Sequence, residues 1–421
     1  MLTYLKSLLA TDTGKDTSIV VIGTIINAVI GGLFFLFAPR ILDNPANFGL
    51  FATVISTGLM MAAIANFGLD TGIFKFAYKG STETNAILSL ALRTYMILGL
   101  IVAILGVFIA PAVANLLGQP VLTQPLRIAF LGTIFILLTN FFVAALQAKQ
   151  KFIESSIVNI SASLARIIIL AIGFYFFSAG LYFLTTLFFF VNIVSVIVGK
   201  FFLPLKIEKT KKRLASAYFK YNFWVASALI ISSIPFDNYI LLKLAGPFQT
   251  GLYAAPFKLF TFSYQIGGNF TRVLASRLAS FDSDQKAARF ALKASIMPLI
   301  FILAPLFLIT ASPYIPLILG KGYLATPATS QILRIIGIGF IFFFASTIPS
   351  SLILYYFGKS SVSFIITSVR YILFIILLVI LVPSQKAVGG ALAFSITEFA
   401  AFILMSAYVI LKFAKVKNDK H

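Results

Sequence analysis

Long runs of apolar residues follow one another along almost the whole chain, and only short polar turns separate them. A helix needs roughly 20 mainly apolar residues to cross a bilayer, whereas a bilayer-spanning sheet shows shorter, alternating segments. The pattern therefore predicts an all-α polytopic membrane protein. We place twelve transmembrane helices near residues 17–39, 48–69, 88–113, 124–147, 152–177, 180–204, 220–242, 249–275, 290–310, 325–349, 360–382 and 387–411.

The composition supports this prediction and narrows the function. Of the 421 residues, 60% are hydrophobic and 11% are charged, and the mean hydropathy is +1.02. A soluble domain is nearer half apolar and a quarter charged. The loops are too short to hold a catalytic or nucleotide-hydrolysing domain, so we expect a membrane transporter and no enzyme. The chain has no cysteine and its single histidine is His421, so we expect no metal site and no bound cofactor.

The distribution of Lys and Arg predicts the orientation. With both termini in the cytoplasm, 24 of the 33 basic residues lie in cytoplasmic segments, as the positive-inside rule requires. The net charge of +21 then reflects topology, so we expect no nucleic-acid partner. The basic linker 206–219 is expected to face anionic lipid headgroups. We predict a multi-pass protein of the cytoplasmic (inner) membrane.

One motif occurs twice, which predicts two similar halves. "LDNPANFGLFA" (42–52) and "LAGPFQTGLYA" (244–254) share the pattern Leu-x-x-Pro-x-x-x-Gly-Leu-aromatic-Ala at an offset of 202 positions. The same offset relates Pro111 to Pro313, Gly118 to Gly320 and Pro125 to Pro327. We therefore predict two parallel six-helix bundles, 1–205 and 220–421, around a central cavity, as transporters built from parallel repeats have.

Five stretches carry a resemblance to a known family. They are "LDNPANFGLFATV", "NFGLDTGIFKF", "FDNYILLKLAGPFQTGLYAAPFKL", "RVLASRLA" and "PLILGKGY". Together they resemble the polysaccharide-transporter (Wzx-type flippase) branch of the multidrug/oligosaccharidyl-lipid/polysaccharide exporter (MOP) superfamily. Major facilitators share the two-bundle plan, but they carry an Asp-Arg-x-Gly-Arg loop after the second span. The corresponding loop here, "FGLDTGIFKFAYKG", has no such motif.

The resemblance implies a MATE-like fold and a flippase. The cargo would be undecaprenyl-pyrophosphate-linked (polyprenyl-linked) oligosaccharide repeat units for surface polysaccharide, such as O-antigen of lipopolysaccharide, capsule or exopolysaccharide. The expected partners are this lipid-linked oligosaccharide, membrane lipids and polysaccharide polymerase or assembly proteins. The alternative is a MATE-like cation-coupled exporter of small drugs or metabolites. For either, H⁺ or Na⁺ coupling is possible.

Two arginines within predicted spans are candidates for binding the pyrophosphate. Arg166 lies in the fifth span and Arg370 lies 204 residues later in the eleventh. A charged side chain in the bilayer costs about 2.5–3.5 kcal/mol on insertion scales, so it usually faces a cavity or a partner. Guanidinium stays ionised and binds phosphate oxygens bidentately. The competing interpretation is that each arginine pairs locally with an acid or with backbone carbonyls and holds helices together.

The other candidate site residues fall into two groups. Helices 1, 2, 7 and 8 resemble the cavity-lining set of lipid flippases, which implies that Lys258, Arg272, Asn27 and Asn66 line the cavity with the two arginines. The alternative for Lys258 and Arg272 is that their long side chains extend to a membrane interface. Asp237, Asp70 and Glu398 are candidates for coupling or gating. For Asp237 and Glu398 the alternative is a structural counter-ion to a basic residue. For Asp70 the alternative is a cap on the helix that begins "TGIFKF".

Overall fold

The computed structural model is helical almost throughout the residues that it describes, which are 12–77, 83–176, 180–205, 208–278, 283, 287, 289–290 and 296–418. The α-helices are numbered here in chain order. They are α1 (Asp12–Leu42), α2 (Pro45–Asn66), α3 (Leu69–Phe76), α4 (Thr84–Leu116), α5 (Thr123–Ala148), α6 (Phe152–Phe176), α7 (Leu181–Phe190), α8 (Asn192–Phe202), α9 (Lys212–Ser233), α10 (Phe236–Leu278), α11 (Ile296–Thr310), α12 (Ile315–Leu319), α13 (Lys321–Leu324), α14 (Ala328–Ala345), α15 (Thr347–Ser351) and α16 (Ser360–Asn418). A 3₁₀ turn at Pro120–Leu122 precedes α5, and a π-helical turn at Leu352–Tyr356 follows α15.

Eight stretches of the described residues are long and apolar enough to cross a membrane. The longest, 361–414, contains two of the predicted spans. The predicted spans near 220–242 and 249–275 fall on α9 and α10, and the one near 290–310 begins outside the described residues and ends in α11. The prediction of an all-α polytopic membrane protein is confirmed.

The predicted span 220–242 is a broken helix. Helix α9 ends at Ser233, Ile234 is extended (ψ 120°), and α10 begins after Pro235. Proline has no N–H to donate to a preceding turn, and its ring disfavours the helical conformation at the residue before it. Local sequence therefore accounts for the break.

Two long helices contain a reversal of the chain. Helix α10 has a non-helical residue at Gly246 (φ 84°), and α16 has one at Lys386 (φ 54°). An uninterrupted helix would separate Arg370 from Glu398 by about 42 Å, at about 1.5 Å per residue. These two side chains instead form an ion pair, so α16 is a helical hairpin.

The chain divides into two compact units that do not coincide with the predicted bundles. Among the described residues, unit 1 draws on 1–34 and 50–235, and unit 2 draws on 35–49 and 236–421. The predicted halves 1–205 and 220–421 describe the sequence repeat. The packing differs from them in two places: α9 belongs to unit 1, and the end of α1 with the turn after it belongs to unit 2.

Helix α9 belongs to unit 1 because it packs closely on α3. The Tyr218 hydroxyl donates a 2.9 Å hydrogen bond to the carbonyl oxygen of Leu69. A β-carbon at Gly72 would overlap the side chain of Asn222 and lie 2.7 Å from the Tyr218 ring. Tyr218 and Asn222 are both fully buried. Glycine at position 72 therefore allows the two helices to approach this closely.

Within unit 2, the two copies of the repeated motif lie against each other. A β-carbon at Gly49 would overlap the carbonyl oxygen of Pro247 and lie 2.7 Å from the backbone nitrogen of Gly251. A β-carbon at Gly251 would overlap the carbonyl oxygen of Pro45 and lie 3.0 Å from the nitrogen of Gly49. Pro45 and Gly49 of the first copy therefore make the same contacts that Pro247 and Gly251 of the second copy make in return. The motif recurs because each copy provides the surface on which the other packs.

The segment "PLILGKGY" packs on the turn that opens the first copy of the motif. A β-carbon at Gly320 would lie 3.3 Å from the α-carbon of Arg40, and one at Gly322 would lie 2.6 Å from Pro45. The Tyr323 side chain is fully buried. Two of the stretches that carry the family resemblance therefore form one packed region of unit 2.

The linker after α8 is hydrogen-bonded to the start of α4. The Ser89 hydroxyl accepts a 3.0 Å hydrogen bond from the backbone N–H of Glu208, and the Thr210 hydroxyl donates a 2.7 Å bond to the carbonyl of Ala86. The Asn85 amide donates to the carboxylate of Glu208 at 3.3 Å. The described part of the linker is thus held on unit 1 by specific polar contacts.

A lysine completes this network. The Lys149 ammonium donates a 3.2 Å hydrogen bond to the Asn85 side-chain oxygen. Burial lowers the pKa of Lys149, repulsion from Lys151 lowers it further, and attraction to Glu208 acts in the opposite direction. Asn85 therefore connects a lysine after α5 to the linker.

Replacing Asn85 with alanine should loosen the linker. The substitution removes both side-chain hydrogen bonds, each worth about 1 kcal/mol in general, so local opening should become more frequent. We expect trypsin to cleave the native protein after Lys209 or Lys211 about three to ten times faster. Glu83→Gln is the control, because it removes the negative charge from the exposed ion pair with Lys211, and such pairs contribute little. Equal cleavage rates in wild type and Asn85→Ala would contradict this account of the linker.

Candidate functional site

Arg166 is a buried cation in unit 1, on α6. Its side chain is 9% exposed, and the guanidinium carbon lies 4.4 Å from the ring centre of Phe188 and 5.5 Å from that of Phe34. One terminal nitrogen, Nη2, donates a 3.3 Å hydrogen bond to the carbonyl oxygen of Phe188. The buried Nε has no hydrogen-bond partner among the described residues, and no described carboxylate lies within ion-pair distance. Aromatic rings stabilise this charge, and no acid in the described part of the chain lies close enough to neutralise it.

Asn27 lies on the helix that faces Arg166. The Ser163 hydroxyl, one turn before Arg166 on α6, donates a 2.7 Å hydrogen bond to the Asn27 side-chain oxygen. Asn27 and Phe34 are seven residues apart on α1, so they share one face of that helix. The face of α1 that carries Asn27 and Phe34 therefore meets the face of α6 that carries Ser163 and Arg166.

Asn66 and Asp70 belong to a second polar cluster of unit 1. The buried hydroxyl of Tyr95 donates a 2.7 Å hydrogen bond to the Asn66 oxygen, and the Asn66 amide donates a 3.0 Å bond to Asp70. Asp70 also accepts from the backbone N–H of Thr71 at 2.9 Å. Helix α3 begins at Leu69, so Asp70 sits in its first turn, where a carboxylate is favourable.

In unit 2, Asp237 and Lys258 lie on the two arms of the α10 hairpin. The Tyr253 hydroxyl donates a 3.0 Å hydrogen bond to the Asp237 carboxylate. The Lys258 ammonium lies 5.7 Å from the ring centre of Phe35. Asp237 and Lys258 are not within ion-pair distance of each other. Both side chains are partly buried.

Arg370 and Glu398 form an ion pair within α16. The guanidinium contacts the carboxylate at 2.5 Å, and the side chains are 28% and 2% exposed. The second oxygen of Glu398 is buried and has no hydrogen-bond partner among the described residues. Arg166 and Arg370, equivalent in the sequence repeat, thus have different surroundings.

The cavity-lining, coupling and gating roles of these residues remain predictions. Arg272 lies on α10, but its side chain is outside the described part of the structure. Arg166, Ser163 and Asn27 come together in unit 1, as do Asn66 and Asp70. Asp237 and Lys258 share one hairpin of unit 2.

Sequence reasoning did not single out Phe34, Phe188, Tyr95 and Tyr253. A signal for two of them lies in the helical hairpins, and a signal for a third lies in its spacing along α1. Asp237 lies nine residues before the reversal at Gly246 and Tyr253 lies seven residues after it. The two side chains therefore lie at similar distances from the reversal, on opposite arms of the hairpin. Arg166 and Phe188 lie at similar distances from the turn between α6 and α7, and Phe34 is two helical turns from Asn27. No comparable pattern marks Tyr95.

The residues 38–328 match the model of a family described as polysaccharide biosynthesis protein. This match covers more than half of the chain. The chain belongs to that family. The family match confirms the predicted resemblance to a polysaccharide family.

Two relatives are similar to this family member in sequence. The "Putative O-antigen transporter" of Shigella flexneri is 27% identical over 285 residues, which are 64% of this chain and 65% of that protein. An uncharacterized membrane protein of Methanocaldococcus jannaschii is 24% identical over 423 residues, covering 95% of this chain and 98% of that protein. The chain therefore spans just under two thirds of the O-antigen relative and nearly all of the archaeal one.

Solved structures share the fold. An inward-facing multidrug resistance MATE family transporter of the MOP superfamily aligns with a TM-score of 0.77 at 14% identity, covering 94% of this chain and 96% of that one. The lipid II flippase MurJ in an inward closed conformation aligns with a TM-score of 0.71 at 16% identity, covering 94% and 89%. At these identities the likeness establishes the fold alone, and it confirms the predicted MATE-like architecture.

Proposed function

We propose that this polysaccharide biosynthesis family member is a flippase for polyprenyl-pyrophosphate-linked oligosaccharides. It would translocate these repeat units across the cytoplasmic membrane by alternating access, for assembly of a surface polysaccharide such as O-antigen, capsule or exopolysaccharide. Both termini would lie in the cytoplasm. The observation that carries the proposal is Arg166, a cation buried among apolar helices with no described acid beside it.

The chemistry of this cargo fits such a cation. A pyrophosphate is anionic, and its transfer from water into a low-dielectric interior is costly unless positive charge is already in place. A guanidinium supplies that charge at every physiological pH and donates several hydrogen bonds to phosphate oxygens. Neutral amides such as Asn27 can donate to phosphate or sugar hydroxyl oxygens. The polyprenyl tail would remain in the bilayer.

Ion coupling is proposed at Asp237. Its carboxylate receives one hydrogen bond from Tyr253 and has no described basic side chain within ion-pair distance. Such a carboxylate is available to bind H⁺ or Na⁺. Asp70 is a second candidate for gating, since Asn66 connects it to Tyr95. Glu398 is a weaker candidate, because Arg370 already occupies one of its oxygens.

A cation-coupled exporter of small drugs or metabolites is the second candidate. The fold shared with a multidrug resistance MATE transporter favours it, and so does Asp237, which has no described basic side chain within ion-pair distance. A cationic drug would be repelled by Arg166, whereas an anionic headgroup would be attracted. The charge of the cargo therefore discriminates between the two functions.

The experiment is native mass spectrometry of the protein purified gently from its own membranes. We expect a bound lipid whose fragments contain a polyprenyl pyrophosphate and sugars. Asp237→Asn should retain this lipid, since the proposed coupling residue does not bind the headgroup. If the protein carries no polyprenyl lipid even after one is added, and instead binds cationic dyes, the exporter function replaces the flippase.

A further inference from the structure

We propose that one end of unit 2 is a binding surface for anionic phospholipid headgroups. This surface, called the turn end, consists of the residues 40–45, 243–249, 314–324 and 385–389. They form the turn after α1, the reversal of α10, the turns between α11 and α14, and the reversal of α16. The ligand is a lipid of the surrounding bilayer that carries a net negative charge. The inference goes beyond the proposed function, because it does not involve the transported cargo.

The four segments of the turn end pack on one another. A β-carbon at Gly320 would lie 3.3 Å from the α-carbon of Arg40. The backbone N–H of Ala387 donates a 3.3 Å hydrogen bond to the side-chain oxygen of Gln249. The contact between the two copies of the repeated motif joins these pairs, because Gln249 belongs to the second copy and Arg40 lies two residues before the first. The basic residues of the four segments therefore share one end of unit 2.

The turn end has four basic residues and one acidic residue. Each segment contributes one exposed basic side chain, and these are Arg40, Lys243, Lys321 and Lys386. The acid, Asp43, forms no ion pair with the described residues. The other described acids of unit 2 lie within α10 and α16, away from the reversals. A surface with this surplus of positive charge attracts anions.

The backbone of Lys386 has a conformation that favours glycine. Its φ is 54° and its ψ is −127°, whereas the reversal of α10 has a glycine, Gly246, with φ 84°. A residue with a β-carbon is strained at such a φ, and glycine is not. The packing fixes this reversal, since a β-carbon at Gly389 would lie 2.5 Å from the carbonyl oxygen of Leu381. An exposed lysine here adds strain to a fixed turn, which points to a function for its charge.

Exposed apolar side chains beside Lys321 indicate that the turn end contacts a bilayer. Tyr314, Leu317 and Leu324 are 68%, 54% and 52% exposed. Tyrosines and long basic side chains occur together at membrane interfaces, where their apolar parts contact acyl chains and their polar ends contact headgroups. A soluble anion would be attracted by the charges but would leave these apolar side chains in water. A lipid with a negative headgroup complements both the bases and the apolar side chains.

The experiment uses the full chain in phosphatidylcholine nanodiscs that contain a trace of a photoactivatable lipid. The two probes are phosphatidylglycerol and phosphatidylcholine with the same photoreactive acyl chain, so they differ in net headgroup charge. Peptide mass spectrometry measures how strongly each probe labels the turn end. We expect phosphatidylglycerol to label it at least about tenfold more, since each basic residue near a membrane surface favours an anionic lipid about fivefold. In about 1 M salt, which screens charges beyond about 3 Å, the preference should fall to about twofold or less.

The variant Lys386→Gly separates charge from folding. It removes the base and relieves the backbone strain, so the protein should unfold at a higher temperature in zwitterionic detergent while the phosphatidylglycerol preference falls about threefold to fivefold. The double variant Arg40→Gln with Lys321→Gln should remove most of the preference. The matched control is Lys359→Gln. Lys359 is also exposed, but it lies before the start of α16, about 40 Å from Lys386 along the first arm, so the preference should be unchanged.

Several results would overturn the inference. Equal labelling of the wild-type turn end by both probes would remove the surface, and so would a preference that survives Lys386→Gly or the Arg40 and Lys321 double variant. A preference lost in Lys359→Gln would show that the bases of the turn end are not its source. Loss of the preference in millimolar inorganic phosphate would assign the surface to a soluble anion instead. None of these results depends on transport, so a failure of the flippase proposal would leave this inference intact.

Discussion

Replacing Gly251 with alanine should destabilise the protein by about 1–3 kcal/mol, the usual cost of overpacking. A β-carbon there would overlap the carbonyl oxygen of Pro45 and lie 2.6 Å from its carbonyl carbon. Backbone atoms cannot rotate away as a side chain can, so the two segments of unit 2 must move apart. Gly49→Ala should act similarly through Pro247. Thermal unfolding in detergent measures both effects.

Gly31→Ala is the matched control for this prediction. Gly31 lies inside α1, and a β-carbon there would meet no atom within 4 Å. Alanine should therefore be neutral or stabilising by about 0.5–1 kcal/mol, since glycine is the poorer helix former. The double variant of Gly49 and Gly251 should cost less than the two single effects added, because both disrupt one contact. A Gly251→Ala protein as stable as Gly31→Ala would contradict the close packing.

Replacing Arg370 with alanine should cost about 3–5 kcal/mol, which is typical of breaking a buried ion pair from one side. The partner left behind is Glu398, whose side chain is only 2% exposed and already has one oxygen without a hydrogen bond. Glu398→Ala should cost less. Its partner Arg370 is 28% exposed, so the charge left behind is less completely buried. The midpoint of thermal unfolding should therefore fall further in Arg370→Ala than in Glu398→Ala.

A double-mutant cycle tests the pairing directly. Combining Arg370→Gln with Glu398→Gln removes both charges and leaves two polar side chains of similar length. We expect the double variant to be more stable than Arg370→Gln alone, with a coupling energy of about 1–3 kcal/mol. Additive effects would mean that the two side chains do not depend on each other.

The sequence predicted the helices well because the bilayer imposes a length and a polarity on each span. The apolar runs identified α4, α5 and α6 to within a few residues at most ends. The repeated motif indicated two similar halves, but it did not indicate that its two copies would contact each other. Its Pro and Gly residues are the ones that pack together in unit 2, since close backbone contact requires them.

The partners of the buried charges could not be predicted from composition or spacing alone. The sequence repeat made Arg166 and Arg370 equivalent, yet among the described residues only Arg370 has an acid within ion-pair distance. That difference arises from the reversal of α16 at Lys386, which brings Glu398 on the second arm beside Arg370 on the first arm. The unit boundary after Pro235 was likewise missed, because the packing of α9 on α3 depends on tertiary contacts of Tyr218 and Asn222.

The proposed function is the movement of an anionic lipid-linked sugar across a membrane. The most direct test is translocation in proteoliposomes of a polyprenyl-pyrophosphate-linked oligosaccharide with a fluorescent sugar, read by quenching with a membrane-impermeant reductant. We predict that wild type makes the lipid exchange between leaflets, and that Arg166→Gln slows this exchange at least about tenfold, which corresponds to about 1.4 kcal/mol. Wild-type protein that leaves the labelled lipid in its original leaflet, while exporting a cationic dye along a proton or sodium gradient, would contradict the account.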